Sequence, residues 1–463
     1  MAIRILASAL LVLPVAVAAQ SETATTVRFA TFNASLNRNA SGELLSDLAN
    51  PAGAGLGDPV SRRILQAQNV AQVIQRIAPD VVLINEFDHD HAGIAGSSST
   101  ANALGYTSLA HQRFQSNFLG VPQGGASAIS YAYGYTPTTN TGIASGFDLN
   151  NNGSIGGGDD AFGFGNFAGQ FGMTIYSKYE IVGVRTFQNF LWKDMPDNLL
   201  TSDPTANDLA AFYSPEEIDV LRLSSKNHVD VVLNIDGQEV HFLTAHPTPP
   251  VFDGSEDRNG KRNHDEIRFW KDYVNGASYI YDDQGGTGGL TSDAVFVIAG
   301  DYNADLLDGD SFRDAPFNAI GQLLNDPKVN TSVTPQAPGG TEQSALQGGA
   351  NANDVGDPRY DTADFADTPA GTAAGNLRVD YVLPSSNTTI VGSGVFWPES
   401  TDPLFPLVGT FGNPNLFSGF PTSDHRAVWA DVAMPVPEPG TWGFMGLGLA
   451  VLAGAATRRR ANH

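Results

Sequence analysis

Short apolar runs recur along this chain, and most of them end in a polar side chain able to do chemistry. Val27 to Phe32 runs into Asn33, Val81 to Ile84 into Asn85 and Glu86, and Ala294 to Ala299 into Gly300, Asp301, Tyr302 and Asn303. Runs of this length predict strands buried in a packed sheet. Val229 to Ile235 and Glu239 to Ala245, joined by Asp236-Gly237, predict a hairpin whose second strand ends at His246. Leu377 to Leu383 alternates, with Arg378 and Asp380 opposite Leu377, Val379, Tyr381 and Leu383. Ser423-Asp424-His425 leads into a last strand, Arg426 to Val432. Helical spacing of Val70, Val73, Ile74 and Ile77 predicts a helix from about Ser61 to Ala78, stopped by Pro79. Asn263, with Glu266 three residues on, predicts the capped start of a second helix running to about Val274.

Two stretches lack a sustained period. Residues 120–172 are rich in Gly, Ser, Asn and Phe, and residues 334–375 in Gly, Ala and Asp. They are expected to be insertions in one domain spanning 25–433, which accounts for a body larger than a usual single domain. The 50 glycines and 27 prolines fit this division, because both residues concentrate in irregular loops.

The formal charge of −24 argues against a protein that grips nucleic acid through a broad basic face. It does not exclude phosphate chemistry, since a bound cation supplies positive charge locally. There is no cysteine, hence no disulfide and no thiolate chemistry.

Both ends carry addresses. Arg4 precedes the apolar run Ile5 to Val17, and small residues around Ala18 and Ala19 suit signal peptidase, so residues 1–19 are expected to be a signal peptide. At the other end Val436-Pro437-Glu438-Pro439-Gly440 is followed by apolar Trp442 to Ala456 and by Arg458, Arg459 and Arg460. This trio over 436–463 resembles the PEP-CTERM sorting tag of Gram-negative bacteria. The resemblance implies removal by an exosortase-type processing protease and export to the periplasm, cell surface or extracellular matrix. A simple membrane anchor is the alternative, although the apolar stretch is short against the ~20 residues a bilayer needs.

One Asp or Asn at a strand end is ordinary turn chemistry, but here the strand ends carry Asn33, Glu86, His246, Asp301 with Asn303, and Asp424-His425. Side chains placed where strands leave a packed sheet are rigidly aimed at one rim, as catalysis requires. The segments TFNAS, VVLINEF, LTAHPTPP, FVIAGDYNAD, LRVDYVL and TSDHRAV stand in the order found in the endonuclease/exonuclease/phosphatase superfamily, which the chain resembles from about Val27 to Val432. That superfamily includes DNase I-like nucleases, apurinic endonucleases, sphingomyelinases and inositol-polyphosphate phosphatases. The resemblance implies an α/β (α+β) four-layer sandwich, two packed mixed β-sheets flanked by helices. Residue by residue, it implies Glu86 as the principal ligand of Mg²⁺ (or Mn²⁺), Asn33 as its positioning neighbour and Asp424 as a second contributor to the metal site. Asp301 would orient or deprotonate the attacking water, and Asn303 would hydrogen-bond phosphoryl oxygens. His425 would contact the phosphate, with Asp380 holding its other ring nitrogen. His246 matches a family position that serves the leaving oxygen; its partner carboxylate is not evident from the sequence, and a strand cap before Pro247 is the alternative.

Two further features stand apart. Arg258, Lys261 and Arg262 follow His246 closely and are candidates for contacting substrate phosphates, or else belong to a solvated loop. Asp148, Asn150, Asn152, Gly153, Ser154 and Asp159 resemble an EF-hand calcium loop, with Asp at the twelfth position as in dockerin modules. Gly-rich flanks make an Asn/Gly turn the competing reading.

The expected activity is hydrolysis of a phosphoester, most readily a phosphodiester, by in-line attack of water. Extracellular nucleic acid, phospholipid and small organic phosphates all remain open as substrates. From a different class, the chain reads as a non-catalytic calcium-binding surface or matrix protein on the same scaffold.

Overall fold

The apolar runs become the strands of two sheets. A computed structural model describes residues 24–435, apart from 54, 90–107, 203–208, 315–316 and 369–372. The expected signal peptide (1–19) and the expected sorting tag (436–463) both lie outside the described residues. Among the described residues no helix is long and apolar enough to cross a membrane.

In chain order the principal strands are β1 (Thr26–Leu36), β2 (Val81–Phe87), β3 (Tyr133–Tyr135), β4 (Met173–Ser177) and β5 (Glu180–Thr186). They continue with β6 (Val229–Ile235), β7 (Gln238–Ala245), β8 (Val295–Asp301), β9 (Asp380–Pro384), β10 (Thr389–Val395) and β11 (Val428–Ala433). One sheet has the order β10-β11-β1-β2-β4-β3 and the other β9-β8-β7-β6-β5. In each, a single pair is parallel, β1 with β2 and β7 with β8, and every other pairing is antiparallel. Both sheets are therefore mixed, as expected.

Alternate residues of the strands point into the space between the sheets. Val27, Phe29, Val81, Leu83, Val231, Phe242, Val297 and Val432 fill it, each at most 1% exposed. The other faces are covered by helices, which is why the central strands read as continuous apolar runs. Helix α1 (Pro59–Ile77) lays Ile64, Val70, Ile74 and Ile77 on Phe32, Val82 and Ile84. It starts where Asp58 accepts a hydrogen bond from the Ser61 amide, and it ends at Ala78 in the left-handed region, φ 51°, just before Pro79. Helix α2 (Arg258–Val274) lays Ile267, Trp270 and Val274 on Leu243, Phe296 and Ile298 of the second sheet. The result is four layers, helix-sheet-sheet-helix.

Two expectations need correction. Helix α2 opens at Arg258, not at Asn263. Asn263 and Glu266 are buried within it and tie it to the strand-end loops. Asn263 Nδ2 donates to the carbonyls of Thr248 and Tyr302, both at 2.8 Å, and Glu266 accepts from the amides of Ser225 and Thr248, both at 2.6 Å. The polar spacing that suggested a cap thus serves loops remote in sequence. The second insertion is also more regular than its composition suggested, with a helix over Pro338–Gln347. Its Gly339 packs against Trp397, where a Cβ would come within 2.4 Å of the Trp397 carbonyl oxygen. Glycines that read as loop are there required by close packing.

His228, just before β6, is buried against Phe269 and Trp270 and fixed between Ser224 Oγ (2.6 Å) and the Glu266 carbonyl (2.8 Å). Burial pushes its pKa down to about 4. The unfolded chain, with an ordinary histidine near 6.5, therefore takes up this proton first as the pH falls. The stabilisation is complete above pH 6.5 and is lost progressively toward pH 4, where the loss amounts to about 3 kcal/mol. Urea unfolding of the wild type and of His228→Gln between pH 7.5 and 4.5 should show the gap between them shrinking on acidification. Parallel stability curves would show that no such proton uptake is linked to His228.

Candidate active site

Strand direction gathers the chemistry. Because β1 and β2 are parallel, Asn33 and Glu86 leave the first sheet at the same end. Because β7 and β8 are parallel, His246 and Asp301 leave the second sheet together. Strands β9 and β11 run against β8 and β1, so their entry residues arrive at this rim, with Asp380 in register opposite Asp301. The close approach of β7 and β8 depends on Gly300, where a Cβ would come within 2.1 Å of the Ala245 carbonyl oxygen.

Buried hydrogen bonds lock the two rims together. Asn33 Nδ2 donates to Asp301 Oδ2 across the sheets at 2.9 Å, and Asn85 Oδ1 accepts from the Asp301 amide at 3.3 Å. The backbone pays for this in conformation: Ser35, Glu86 and Asn303 all lie in the left-handed region, with φ of 47°, 56° and 50°. Non-glycine residues adopt it at some cost, and such residues cluster at functional sites.

Asp301 is the hub. Its Oδ1 accepts from the Asn303 amide at 2.9 Å, while His246 Nε2 lies 3.3 Å and His425 Nε2 3.6 Å from its Oδ2. The partner of His246 that the sequence did not reveal is therefore Asp301 itself. His425 Nδ1 lies 2.9 Å from Asp380 Oδ2, which also accepts from Thr362 Oγ1 at 2.9 Å. Among the described residues, Asp301, Asp380 and His425 form the one group of three or more potential ligand side chains whose atoms all lie within 4.8 Å.

Burial by itself would push His425 down, but Asp380 and Asp301 outweigh it and hold the imidazole well above its ordinary value. Burial likewise opposes the ionised form of Asp301, yet His425, His246 and Asn33 hold it below the usual carboxylate range. His246 goes the other way: burial, then the nearby Lys226, press it down to about 4, so at neutral pH this ring is uncharged. Glu86 is pushed up to about 7 by burial and by Asp424 and Asp301. Asp424 is oriented by Ser35 Oγ at 3.2 Å.

A cleft of about 670 Å³ opens over this array. Glu86, His246, Asp301, Asn303, Asp424 and His425 line it, and Leu149, Phe164, Phe171, Tyr213 and Phe252 form an apolar wall. Asn33 and Asp380 act from behind, on Asp301 and His425. Of the three basic candidates, Arg258 and Arg262 also line the cleft. Arg258 is ion-paired with Glu256. Arg262 donates to the carbonyls of Phe162 (2.6 Å), Arg222 (2.8 Å) and Leu223 (2.9 Å), fastening the first insertion to α2. Lys261 is buried, and its Nζ donates to the Glu256 carbonyl at 2.8 Å.

The calcium-like loop is built of Asx turns. Asp148 accepts from the amides of Asn152 (3.0 Å) and Gly153 (2.7 Å), Asn150 Oδ1 from Asn152 (3.1 Å), and Asn152 Oδ1 from Ser154 (2.8 Å). Asp159 is exposed at the cleft. Its neighbour Asp160 is the carboxylate that turns inward, accepting from the amides of Leu149 and Gly156.

Sequence reasoning missed Thr362, Ser35 and above all Lys226, a buried lysine that lines the cleft. The hairpin register offered a signal. Val229 pairs with Thr244, so the residues just before Val229 flank those just after Thr244, where His246 lies.

A sandwich of two mixed sheets with acids, amides and histidines at one rim defines the class of protein. The family model of the endonuclease/exonuclease/phosphatase family matches residues 30–425, and the chain belongs to that family. The PEP-CTERM protein-sorting motif matches residues 435–460, which indicates export and surface sorting in a Gram-negative bacterium. No curated protein matches the chain. Among solved structures, it is similar to an endonuclease/exonuclease/phosphatase protein from Beutenbergia cavernae at 16% identity and a TM-score of 0.42, covering 88% of this chain and 72% of that one. Beta toxin from Staphylococcus aureus is similar at 13% identity and a TM-score of 0.40, with 87% and 99% covered. TDP2 from Caenorhabditis elegans follows at 13% identity and a TM-score of 0.37, with 89% and 77% covered. Membership rests on the family model.

The Asp380–His425 pair makes a direct prediction. In EDTA, ring-proton NMR should show His425 still protonated at neutral pH, and Asp380→Asn should move its titration to lower pH. An unmoved titration in the variant would mean that Asp380 does not set the charge of His425.

Proposed function

We propose that this protein is an exported, divalent-cation-dependent phosphoesterase that hydrolyses phosphodiester bonds by in-line attack of water. The observation that carries this reading is one hydrogen-bonded array in a single cleft: Asp301 joined to Asn33, Asn303 and His246, with the Asp380–His425 pair beside it.

The residues present suit a hard cation. Glu86 and Asp424 offer carboxylate oxygens at the cleft, and Glu86 holds a proton up to about pH 7 because of burial and its anionic neighbours. A cation relieves the same excess of negative charge, and Mg²⁺ or Mn²⁺ prefers such oxygen ligands. Bound there, it supplies positive charge to the phosphoryl oxygens.

The remaining work belongs to the chain. Asp301, kept ionised, accepts a hydrogen bond from the attacking water and aims it at phosphorus; its low basicity suits orientation better than full proton abstraction. The charged His425 and the Asn303 amide neutralise the charge that builds on the phosphoryl oxygens, usually the largest catalytic contribution. His246 enters uncharged and within reach of Asp301, so it takes the proton released by the attacking water and returns it to the leaving oxygen as the P–O bond breaks. The apolar wall accommodates a phosphoester with a non-polar substituent, which keeps lipid and small organic phosphates beside nucleic acid as substrates.

Hydrolysis of bis-p-nitrophenyl phosphate and of plasmid DNA by the purified protein tests this, with Mg²⁺, Mn²⁺, Ca²⁺ or EDTA. Activity should require the metal, and Asp301→Ala and His425→Ala should each lower kcat by at least about 10²–10³-fold while remaining folded. Full activity in either variant would remove that residue from the site. Silence of the folded wild type on diesters, lipids and phosphomonoesters would favour a non-catalytic surface protein.

A further inference from the structure

Resting on the phosphoesterase reading, we infer that Lys226 is a substrate-binding residue whose ammonium receives the phosphoryl oxygens of the substrate in the cleft. Nothing in its sequence context announces this. Lys226 lies in the turn before β6, is only 7% exposed, and lines the cleft with His246, Asp301 and Glu86.

Its surroundings isolate the amine. Of the lysine and arginine side chains that line the cleft, Arg258 is paired with Glu256 and Arg262 is held by three carbonyl oxygens. The Lys226 amine makes no ion pair or hydrogen bond with a described residue. The anions whose field acts on it most are Glu266, Glu86 and Asp301. Both Glu266 oxygens already accept amides, from Ser225 and Thr248. Glu86 faces Asp424, and Asp301 is bound to Asn33, Asn303 and His246. An ammonium has three donors, and this nitrogen is not wholly closed off, so it opens onto the cleft with donors that no described side chain takes. An anion entering the cleft satisfies them.

The lysine is also held ready. Its carbonyl accepts from the Asn140 amide at 2.9 Å, its neighbour Ser225 is fixed by Glu266, and Asn227 Nδ2 donates to the Thr138 carbonyl at 2.9 Å. A backbone pinned on both sides delivers the side chain without a further ordering cost. In a chain of formal charge −24 this positive group acts where the surface as a whole repels anions.

The experiment compares wild type, Lys226→Met and Lys226→Arg in two readouts. Calorimetric binding of inorganic phosphate, with Mg²⁺ and with EDTA, needs no turnover. Affinity should fall about ten- to a hundredfold in Lys226→Met and recover in part in Lys226→Arg. Thermal unfolding should show Lys226→Met at least as stable as wild type, because an unpartnered buried charge has been removed. A lower melting temperature with unchanged phosphate affinity would make Lys226 a structural residue and overturn the inference. Where the wild type hydrolyses bis-p-nitrophenyl phosphate, kcat/KM should fall in Lys226→Met as phosphate affinity does. If the wild type binds phosphate through Lys226 but hydrolyses no phosphoester, the proposed activity falls while the anion site stands.

Discussion

The carboxylate of Asp301 is the constraint on which the site depends. It is ionised, almost wholly buried, and joined to groups from both sheets. A buried charge of this kind is tolerated only where hydrogen bonds and opposite charge surround it. Asn33 reaches it from the first sheet, and Asn303 and His246 from its own. Once these contacts exist, the register of the two rims is fixed, because a shift of either sheet would break the bond between Asn33 and Asp301. The chemistry and the packing thus share one interaction.

Around that hub the electrostatics divide the labour between two otherwise similar histidines. Both are buried near Asp301, yet His425 is driven toward the charged form and His246 toward the neutral one. The difference lies in the neighbours: His425 has Asp380 at its second nitrogen, whereas His246 has the field of Lys226. Pairs of groups whose environments push their proton affinities apart are how a single cleft holds an acidic and a neutral partner at one pH.

Much of this was legible in the sequence because buried strands flanked by helices leave long apolar runs, and because the parallel pairs end where the chemistry begins. Val81 to Ile84 followed by Glu86, and Ala294 to Ala299 followed by Asp301, located two walls of the cleft directly. What escaped depended on contacts between distant segments. Asp301 as the partner of His246 requires the pairing of β7 with β8. The early start of α2 was hidden because Asn263 and Glu266 serve loops and not a helix end. Lys226 sits in a polar turn of a kind that occurs anywhere, and only its burial sets it apart. The helix at Pro338 was masked by two glycines, Gly339 packed against Trp397 and Gly340 against Pro358.

The first and last strands of the body are paired so that Thr26 stands opposite Ala433. Strand β1 then runs seven residues from Thr26 to Asn33, a span of roughly 23 Å at a strand's usual rise. The body is therefore entered and left at the end of the sandwich remote from the rim that carries Asn33 and Asp301. Changes at that far edge, where β1 begins and β11 ends, therefore stand about a strand's length away from the mouth of the cleft.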